Sequence, residues 1–274
     1  MNRRYAETPE LIGRKLTSKC WILAMIAWPG IVLPLARGTE TELDVPRYEI
    51  VRTDQPPRID GKLDEPCWIA APRLSPFRFT WYERGAQEQT IVKLLWDDDN
   101  IYLAHICQDA HITARHKNHD DPVPEDDCFE IMLAPDASRE NNYYNIEWNV
   151  LGAYVDGHRP AGPKGARQPW DVQGLRMAGA FAGTLNEDSD HDQHWIVEVA
   201  IPLRNFAKAM KHMPPQPGDQ WRINLNRHGG DTNFQYSQWS SGDTPVPAFH
   251  TPHRFGFVTF SSTISPFDPP SVSR

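Results

Sequence analysis

The sequence predicts an all-β protein, an antiparallel β-sandwich of jelly-roll type, with a short apolar helix at its N-terminus. Three observations support this prediction. From residue 90 onward, apolar and polar residues alternate, which places one set of side chains on each face of a sheet. Turn-forming residues separate the apolar runs, and the 25 prolines and 17 glycines fall between them. Many short strands with little helix are typical of a sandwich.

The predicted strands follow from the alternating runs. Residues 194–201 show the pattern clearly, because apolar side chains occupy every second position. Only residues 203–212 favour a short helix. The strands are predicted at residues 91–96, 101–108, 128–134, 143–150, 152–156, 175–184, 194–201, 221–227 and 255–260.

The N-terminal segment has the pattern of an export signal. Residues 20–36 carry no charge, a basic stretch precedes them, and small residues follow. A cleaved leader and an uncleaved membrane anchor both fit, and either one places the globular part outside the cytoplasm. The predicted organisation is a leader or anchor at 1–38, a linker at 39–47, a sandwich at 48–260 and a disordered tail at 261–274.

The charge balance narrows the choice of partners. The formal net charge is -8, and the chain beyond the basic leader is more acidic still. Because an acidic body repels phosphate backbones, nucleic acid is not expected as a partner. A neutral polyol or a cation fits the sign of the charge. A membrane is expected as a partner only through an uncleaved N-terminal segment.

The cysteines do not form a disulfide framework. Cys20 lies in the leader, which leaves Cys67, Cys107 and Cys128, an odd number. At most one intramolecular disulfide could form among these three. Their spacing matches no zinc motif, and we predict buried thiols in a packed core.

The alternation also predicts a polar sheet face. Carboxylates, amides and a guanidinium on that face supply the donors and acceptors that sugar hydroxyls need. A solvated outer face, which is normal in antiparallel sheets, explains the same pattern. Three aromatic residues in predicted loops, Trp170, Trp239 and Phe249, are candidates for an apolar sugar platform. The polar candidates are Glu130, Glu147, Asn149, Arg222, Asn224 and Asn226.

Several segments resemble the family 9 carbohydrate-binding modules. Residues 59–68 (IDGKLDEPCW) resemble the opening motif of that family, and residues 95–103 (LWDDDNIYL) resemble its strand-turn-strand. Residues 126–131 (DDCFEI) resemble a further strand. Tyr143 to Asn149, residues 195–201 and the closing Arg254-Phe255-Gly256 complete the order. The resemblance covers about residues 48–260.

The resemblance implies a non-catalytic sandwich that binds the ends of sugar chains and holds structural calcium. Glu130 matches a glutamate that hydrogen-bonds sugar in the family, and Arg254 joins the predicted ligand-binding set. Characterised members of the family hold the sugar between two tryptophans. In this chain, the first of these has no aromatic counterpart near residues 123–124, and the second corresponds to Phe249. Glu147 stands where the family has an arginine. If Glu130 and Glu147 are neighbours, Arg222, Arg227 or a metal could offset their like charges. Asp60 and Asp64 are the predicted calcium ligands, and no organic cofactor is expected.

Other site chemistries remain open from the residues alone. Glu130 and Glu147 could form the carboxylate pair of a glycoside hydrolase. His105 and Met132 could ligate haem iron in an electron-transfer domain. Transition-metal ligands are available in two histidine-rich segments, with His111, His116 and His119 in the first and His191 and His194 in the second.

Overall fold

Eleven β-strands form the framework of the described chain, which comprises residues 44–230 and 232–264 of a computed structural model. The five-residue helix α1 (Pro66–Ala70) and a few single 3-10 turns connect them. The strands are β1 (Arg47–Arg52), β2 (Thr90–Trp96), β3 (Asn100–Gln108), β4 (Cys128–Ala134), β5 (Tyr143–Asn149), β6 (Tyr154–Arg159), β7 (Arg176–Ala182), β8 (His194–Pro202), β9 (Gln220–His228), β10 (Tyr236–Gln238) and β11 (Gly256–Ile264).

The strands form one continuous sheet that folds over on itself. Its order is β6-β5-β4-β9-β11-β1-β2-β3-β8-β7, and β10 pairs with β9. We call β6, β5, β4, β9, β10 and β11 the site sheet, and β2, β3, β8 and β7 the back sheet. Strand β1 joins the two sheets and runs parallel to both β11 and β2.

Contacts between the two sheets form the core of a sandwich. The ring of His105 on β3 stacks on Phe129 of β4, with ring centroids 4.2 Å apart. The indole Nε1 of Trp148 on β5 donates a hydrogen bond to Nε2 of the same histidine, at 3.0 Å. The predicted β-sandwich is therefore confirmed. In the described part of the chain, Cys67, Cys107 and Cys128 are buried and are not in disulfides, as predicted.

The outer face of the back sheet is covered by the segment that contains α1. Trp68 and Cys67 of α1 pack against a small apolar cluster that includes Leu95 and Ala200. The fully buried carboxylate of Glu198 fixes this segment, because it accepts hydrogen bonds from the indole Nε1 of Trp68 and from nearby backbone N–H groups. The outer face of the site sheet is where the chain places most of its polar strand residues.

Several elements differ from the sequence-based prediction, among them the short strand β10, which was not predicted. Strand β1 was not predicted, because its burial pattern is irregular and its parallel pairing has no local turn signal. The predicted helix at 203–212 is a 3-10 turn at Leu203–Phe206, whose two terminal side chains are buried in the core. Strand β11 continues to Ile264, beyond the predicted domain end at 260, because Arg52 of β1 pairs with it there.

The N-terminal predictions concern residues for which no structure is described. The predicted helix and leader or anchor at 1–38 lie outside the described residues, and so do residues 265–274 of the predicted tail. Among residues 44–230 and 232–264, no helix has the length and hydropathy required to cross a membrane.

Candidate functional site

The outer face of the site sheet carries a row of buried and half-buried polar side chains. Strand pairing places Glu130 of β4 between Glu147 of β5 and Asn226 of β9. Asn226 Nδ2 donates a hydrogen bond to Oε2 of Glu130 at 3.1 Å, and Cys128 Sγ donates one to Oε1 of Glu147 at 3.0 Å. The two glutamates are cross-strand neighbours, as the alternation predicted. We call Glu130, Glu147 and Asn226 the polar floor.

Burial controls the ionisation of the polar floor. It raises the pKa of Glu130 well above the usual range, and the neighbouring charge of Glu147 raises this pKa further. Hydrogen bonding to Asn226 acts in the opposite direction. Burial also raises the pKa of Glu147. The floor can therefore present protonated as well as ionised carboxyl groups to hydroxyl groups of a ligand.

Neither arginine proposed from the sequence compensates the two glutamates. Arg222 Nε donates to the backbone carbonyl of Phe255 at 2.8 Å, and its guanidinium lies over the ring of Phe257. Arg227 points to the interior of the sandwich and forms an ion pair with Asp109 at 2.9 Å. The expectation that either residue offsets the glutamate charges is wrong, because backbone carbonyls and interior carboxylates already bind their donors.

An aromatic cluster lies beside the polar floor. Ring centroids of Trp81 and Phe249 are 5.7 Å apart, and those of Tyr236 and Phe249 are 5.6 Å apart. Phe234 contacts Tyr236 with centroids 5.0 Å apart and is 58% exposed. His228 of β9 stacks on the other face of this cluster, 4.7 Å from the ring of Tyr236. We call Trp81, Phe234, Tyr236 and Phe249 the aromatic wall.

The aromatic wall lines a pocket of about 410 Å³. Trp81, Tyr82, Phe234 and Tyr236 contribute rings to this pocket. The Trp81 indole is held in place because its Nε1 donates to the backbone carbonyl of Thr244 at 2.7 Å. Aromatic faces next to hydrogen-bonding groups are the combination that a sugar ring requires, since sugars have apolar C–H faces and polar edges.

The structure brings four of the predicted candidates to this region: Glu130, Glu147, Asn226 and Phe249. Asn149 lies elsewhere on β5, where its Nδ2 donates to Asp126 and its Oδ1 accepts from the backbone of Leu151 and Ala153. Its amide nitrogen therefore binds the 116–126 segment, and its amide oxygen binds the turn after β5. Its assignment to a ligand site does not fit this placement.

The other predicted residues have structural partners. Trp239 is only 6% exposed and packs in the core, so its interpretation as an available loop residue is wrong. Trp170 packs against Tyr144 and Phe206 at the edge of that core. Arg254 Nε donates to the backbone carbonyl of Ser241. These contacts place the tryptophans away from the polar floor.

Sequence reasoning missed four residues of this region: Trp81, Phe234, Tyr236 and His228. A signal existed for two of them, because Phe234 and Tyr236 alternate with the buried Gln235 and Ser237, which is the period of a strand. For Trp81 there was none, since it lies between strands and reaches the wall only through folding.

His250 gives this region a pH dependence. Burial, together with the positive charges of Arg159 and Arg167, lowers the pKa of His250 to about 4, and its Nδ1 lies 2.9 Å from the hydroxyl of Tyr143. Because the unfolded chain takes up the proton near the ordinary pKa of 6.5, stability is lost as pH falls from that value towards 4. We expect His250→Gln to reduce the loss of unfolding free energy between pH 8 and pH 5 by about 1 to 2 kcal/mol. Urea unfolding at both pH values measures it, and an identical pH dependence in the variant would contradict the assignment.

The predicted calcium ligands surround an arginine. Asp60 and Asp64 lie 3.6 and 3.5 Å from the guanidinium of Arg58, and Asp60 Oδ1 also accepts from the backbone N–H of Lys62. Since the guanidinium already supplies positive charge, this pair does not fit a calcium site in its present arrangement. Calcium binding there stays a prediction, which thermal unfolding with and without EDTA tests.

The predicted histidine ligands are dispersed over several contacts. His119 lies 3.4 Å from Asp156, His116 lies 3.5 Å from Glu125, and the rings of His111 and His191 are 5.9 Å apart. In the described part of the chain, His119, Asp120 and Asp156 can place ligand atoms within 4.8 Å of one another, and so can Cys128, Glu147 and His228.

The predicted haem ligands lie on opposite faces of the site sheet. His105 is buried between the sheets, where it accepts the hydrogen bond from Trp148. Met132 is on the outer face, where it packs with Tyr143 and Phe255. One iron ion cannot bind both side chains across a sheet, so haem ligation by this pair is wrong.

Comparisons with known proteins identify a family whose model matches this chain and solved structures with a similar fold. The model of carbohydrate-binding family 9 matches residues 78–260. A candidate carbohydrate-binding protein from Bacteroides uniformis has 17% identity and a TM-score of 0.64, over 79% of this chain and 99% of that one. No curated protein sequence matches the chain at a significant level.

Two further structures similar to this chain are family 9 modules from Caldicellulosiruptor kristjanssonii. One, in complex with cellotriose, has 16% identity and a TM-score of 0.56, over 83% of this chain and 98% of that one. The other, in complex with glucose, has 18% identity and a TM-score of 0.54, over 80% and 100%. These structures share the fold, and the family match covers more than half of the sequence. The chain therefore belongs to carbohydrate-binding family 9.

Proposed function

We propose that this chain binds a neutral saccharide on the outer face of the site sheet, between the polar floor and the aromatic wall. The carrying observation is that Tyr236 of the aromatic wall pairs with and stacks on His228, a ligand atom of which lies within 4.8 Å of Glu147 on the same face. One sugar ring would stack its C–H face on Trp81 or Tyr236, and its hydroxyls would hydrogen-bond to Glu130 and Asn226. The solved relatives in complex with glucose and cellotriose support this class of ligand.

The wall would replace the two-tryptophan clamp that the sequence lacks. One family tryptophan has no aromatic counterpart near residues 123–124, and the other corresponds to Phe249. Phe249 contacts both Trp81 and Tyr236, so an aromatic surface is present although its members come from other positions. Because the surface is built differently, we expect a ligand preference that differs from that of the solved relatives.

We further propose that the chain does not itself hydrolyse the saccharide. Family 9 consists of non-catalytic binding modules. Glu130 and Glu147 are neighbours on the floor of one sheet, so both approach a bound sugar from the same side. Glycosidases instead place two carboxyl groups on either side of the scissile bond. A role as an accessory to a separate glycoside hydrolase is consistent with this arrangement.

Isothermal titration calorimetry tests the proposed function with the whole protein. We expect saturable binding of glucose, cellotriose or another member of a panel of neutral saccharides, and no binding of double-stranded DNA, because the chain is acidic. Incubation with the bound oligosaccharide should release no new reducing ends. Absence of binding to every saccharide in the panel by folded protein would contradict the proposal, and saccharide hydrolysis would contradict its non-catalytic part.

The proposed location is outside the cytoplasm. The support is the uncharged run 20–36 between a basic stretch and small residues. N-terminal sequencing of the protein isolated from its native host tests this proposal. A mature N-terminus near residue 38 supports a cleaved leader, whereas an intact N-terminus in the membrane fraction supports an anchor. Intact protein in the cytoplasmic fraction would contradict export.

A further inference from the structure

Three side chains of different metal-binding chemistry meet on the outer face of the site sheet. Cys128 of β4 pairs directly with His228 of β9, and Glu147 projects from β5 on the other side of β4. One ligand atom from each of these residues lies within 4.8 Å of the other two. Cys128 is 1% exposed, while Glu147 and His228 are half-buried, so the group is partly accessible to solvent.

We propose that Cys128, Glu147 and His228 form a binding site for one divalent transition-metal ion, with Zn²⁺ the best match. A thiolate, an imidazole and a carboxylate are the ligand types that zinc accepts. Calcium is a poor match, because it takes oxygen ligands and would leave the sulfur and the nitrogen unused. Three protein ligands leave a further coordination position for water or for a ligand hydroxyl.

The strands hold this group in place before any metal binds. The three residues come from adjacent strands, β5, β4 and β9, whose pairing fixes their relative positions. The His228 ring is also held from outside the group, because it stacks on Tyr236 with an interplanar angle of 21°. Metal sites on such rigid elements need little rearrangement to bind.

Two features of these side chains favour binding of a metal ion. In the described part of the chain, Nε2 of His228 is buried and has no hydrogen-bond partner. A buried nitrogen without a partner carries a free-energy cost, which coordination to a metal ion would remove. The second feature is the 3.0 Å hydrogen bond that Cys128 Sγ donates to Glu147. Loss of that thiol proton on metal binding would convert both partners into ligands.

The charges also favour a cation. Two glutamates and a cysteine lie together on this face, while Arg222 and Arg227 are bound elsewhere and the positive charge of Arg159 acts on Glu130. A divalent ion would neutralise the thiolate and the carboxylate of Glu147 at the same time. This proposal concerns a metal alone and does not depend on the saccharide.

Cobalt titration of the whole, metal-free protein tests the proposal, because Co²⁺ replaces Zn²⁺ and absorbs in the near ultraviolet when a thiolate binds it. We expect this charge-transfer band to saturate at one ion per chain and to disappear when Zn²⁺ is added. Cys128→Ser should abolish the band. His228→Gln and Glu147→Gln should each weaken Co²⁺ binding at least about tenfold. The matched control is Cys67→Ser on the back sheet, which should keep the band.

Specific results of the Co²⁺ titration would overturn the proposed metal site. A wild-type protein without the band, or a band that survives Cys128→Ser, overturns the proposal. If Cys128→Ser does not fold, as judged by circular dichroism, the two other ligand variants decide: unchanged Co²⁺ affinity in both overturns it. Because no saccharide is present, this result is independent of the calorimetric test of saccharide binding.

Discussion

Replacing Arg227 by methionine is expected to lower the free energy of unfolding by about 4 kcal/mol. The guanidinium is 1% exposed, and it lies 2.9 Å from Asp109 and 3.6 Å from Glu88. It also donates to the backbone carbonyls of Glu88 and Gln108. Methionine preserves much of the volume but leaves buried carboxylates without a cation. Removing one partner of a buried ion pair has this large effect because the other charge stays desolvated.

The pH dependence of the Arg227→Met defect provides a second measurement. Burial and the charge of Asp109 raise the pKa of the nearby Asp127 to about 7, even with Arg227 present to lower it. Without the arginine, protonating Asp127 removes part of the uncompensated charge, so the defect should be smaller at pH 5 than at pH 8. Urea unfolding of wild type and variant at both pH values measures it. The control is the exposed Arg204→Met, with an expected change within about 0.5 kcal/mol. A defect below about 1 kcal/mol for Arg227→Met would contradict the assignment.

Removing two rings of the aromatic wall is expected to abolish most saccharide binding. The double variant Trp81→Ala/Tyr236→Ala should lower affinity about 30- to 100-fold, which corresponds to about 2 to 3 kcal/mol. Trp81 and Tyr236 contact each other with ring centroids 6.2 Å apart, so the double variant removes two adjoining rings of the wall. Calorimetric titration with the saccharide that binds wild type best measures the loss.

Trp170→Ala is the matched control for the loss of the wall. It removes an indole of the same size from the edge of the core, where Trp170 packs against Tyr144 and Phe206. We expect a lower melting temperature and unchanged saccharide affinity. The reverse result, in which Trp170→Ala loses affinity and the double variant keeps it, would place the ligand at the loop between β6 and β7, which contains Trp170. Melting temperatures of all variants separate lost binding from lost folding.

The strands of the sandwich could be predicted from the sequence because each has a local period. On β4, Phe129, Ile131 and Leu133 are buried in the core, and Glu130 between them lies on the opposite face, as the alternation requires. The same alternation predicted that Glu130 and Glu147 would lie on one face. Strand β1 had no such signal, because it pairs in parallel with two strands distant in sequence.

The availability of individual side chains could not be predicted in the same way. Trp239 lies in a segment without regular period and is nevertheless buried, whereas Phe234 nearby is exposed. Arg222 has the polar character of a ligand-binding residue, but backbone carbonyls of the closing segment bind its guanidinium. Such partners come from distant parts of the chain, so no local pattern announces them.

The sequence by itself determined the sandwich, the family and the paired glutamates, because hydrophobic period and motif order are local properties of the chain. Tertiary structure alone decided which polar and aromatic residues share one surface. Trp81, Tyr236 and Phe249 come from three separate segments and meet beside β9 only after the sheet has folded over. The grouping of Cys128, Glu147 and His228 was decided in the same way, by the register of three adjacent strands, of which β9 is far from the other two in sequence.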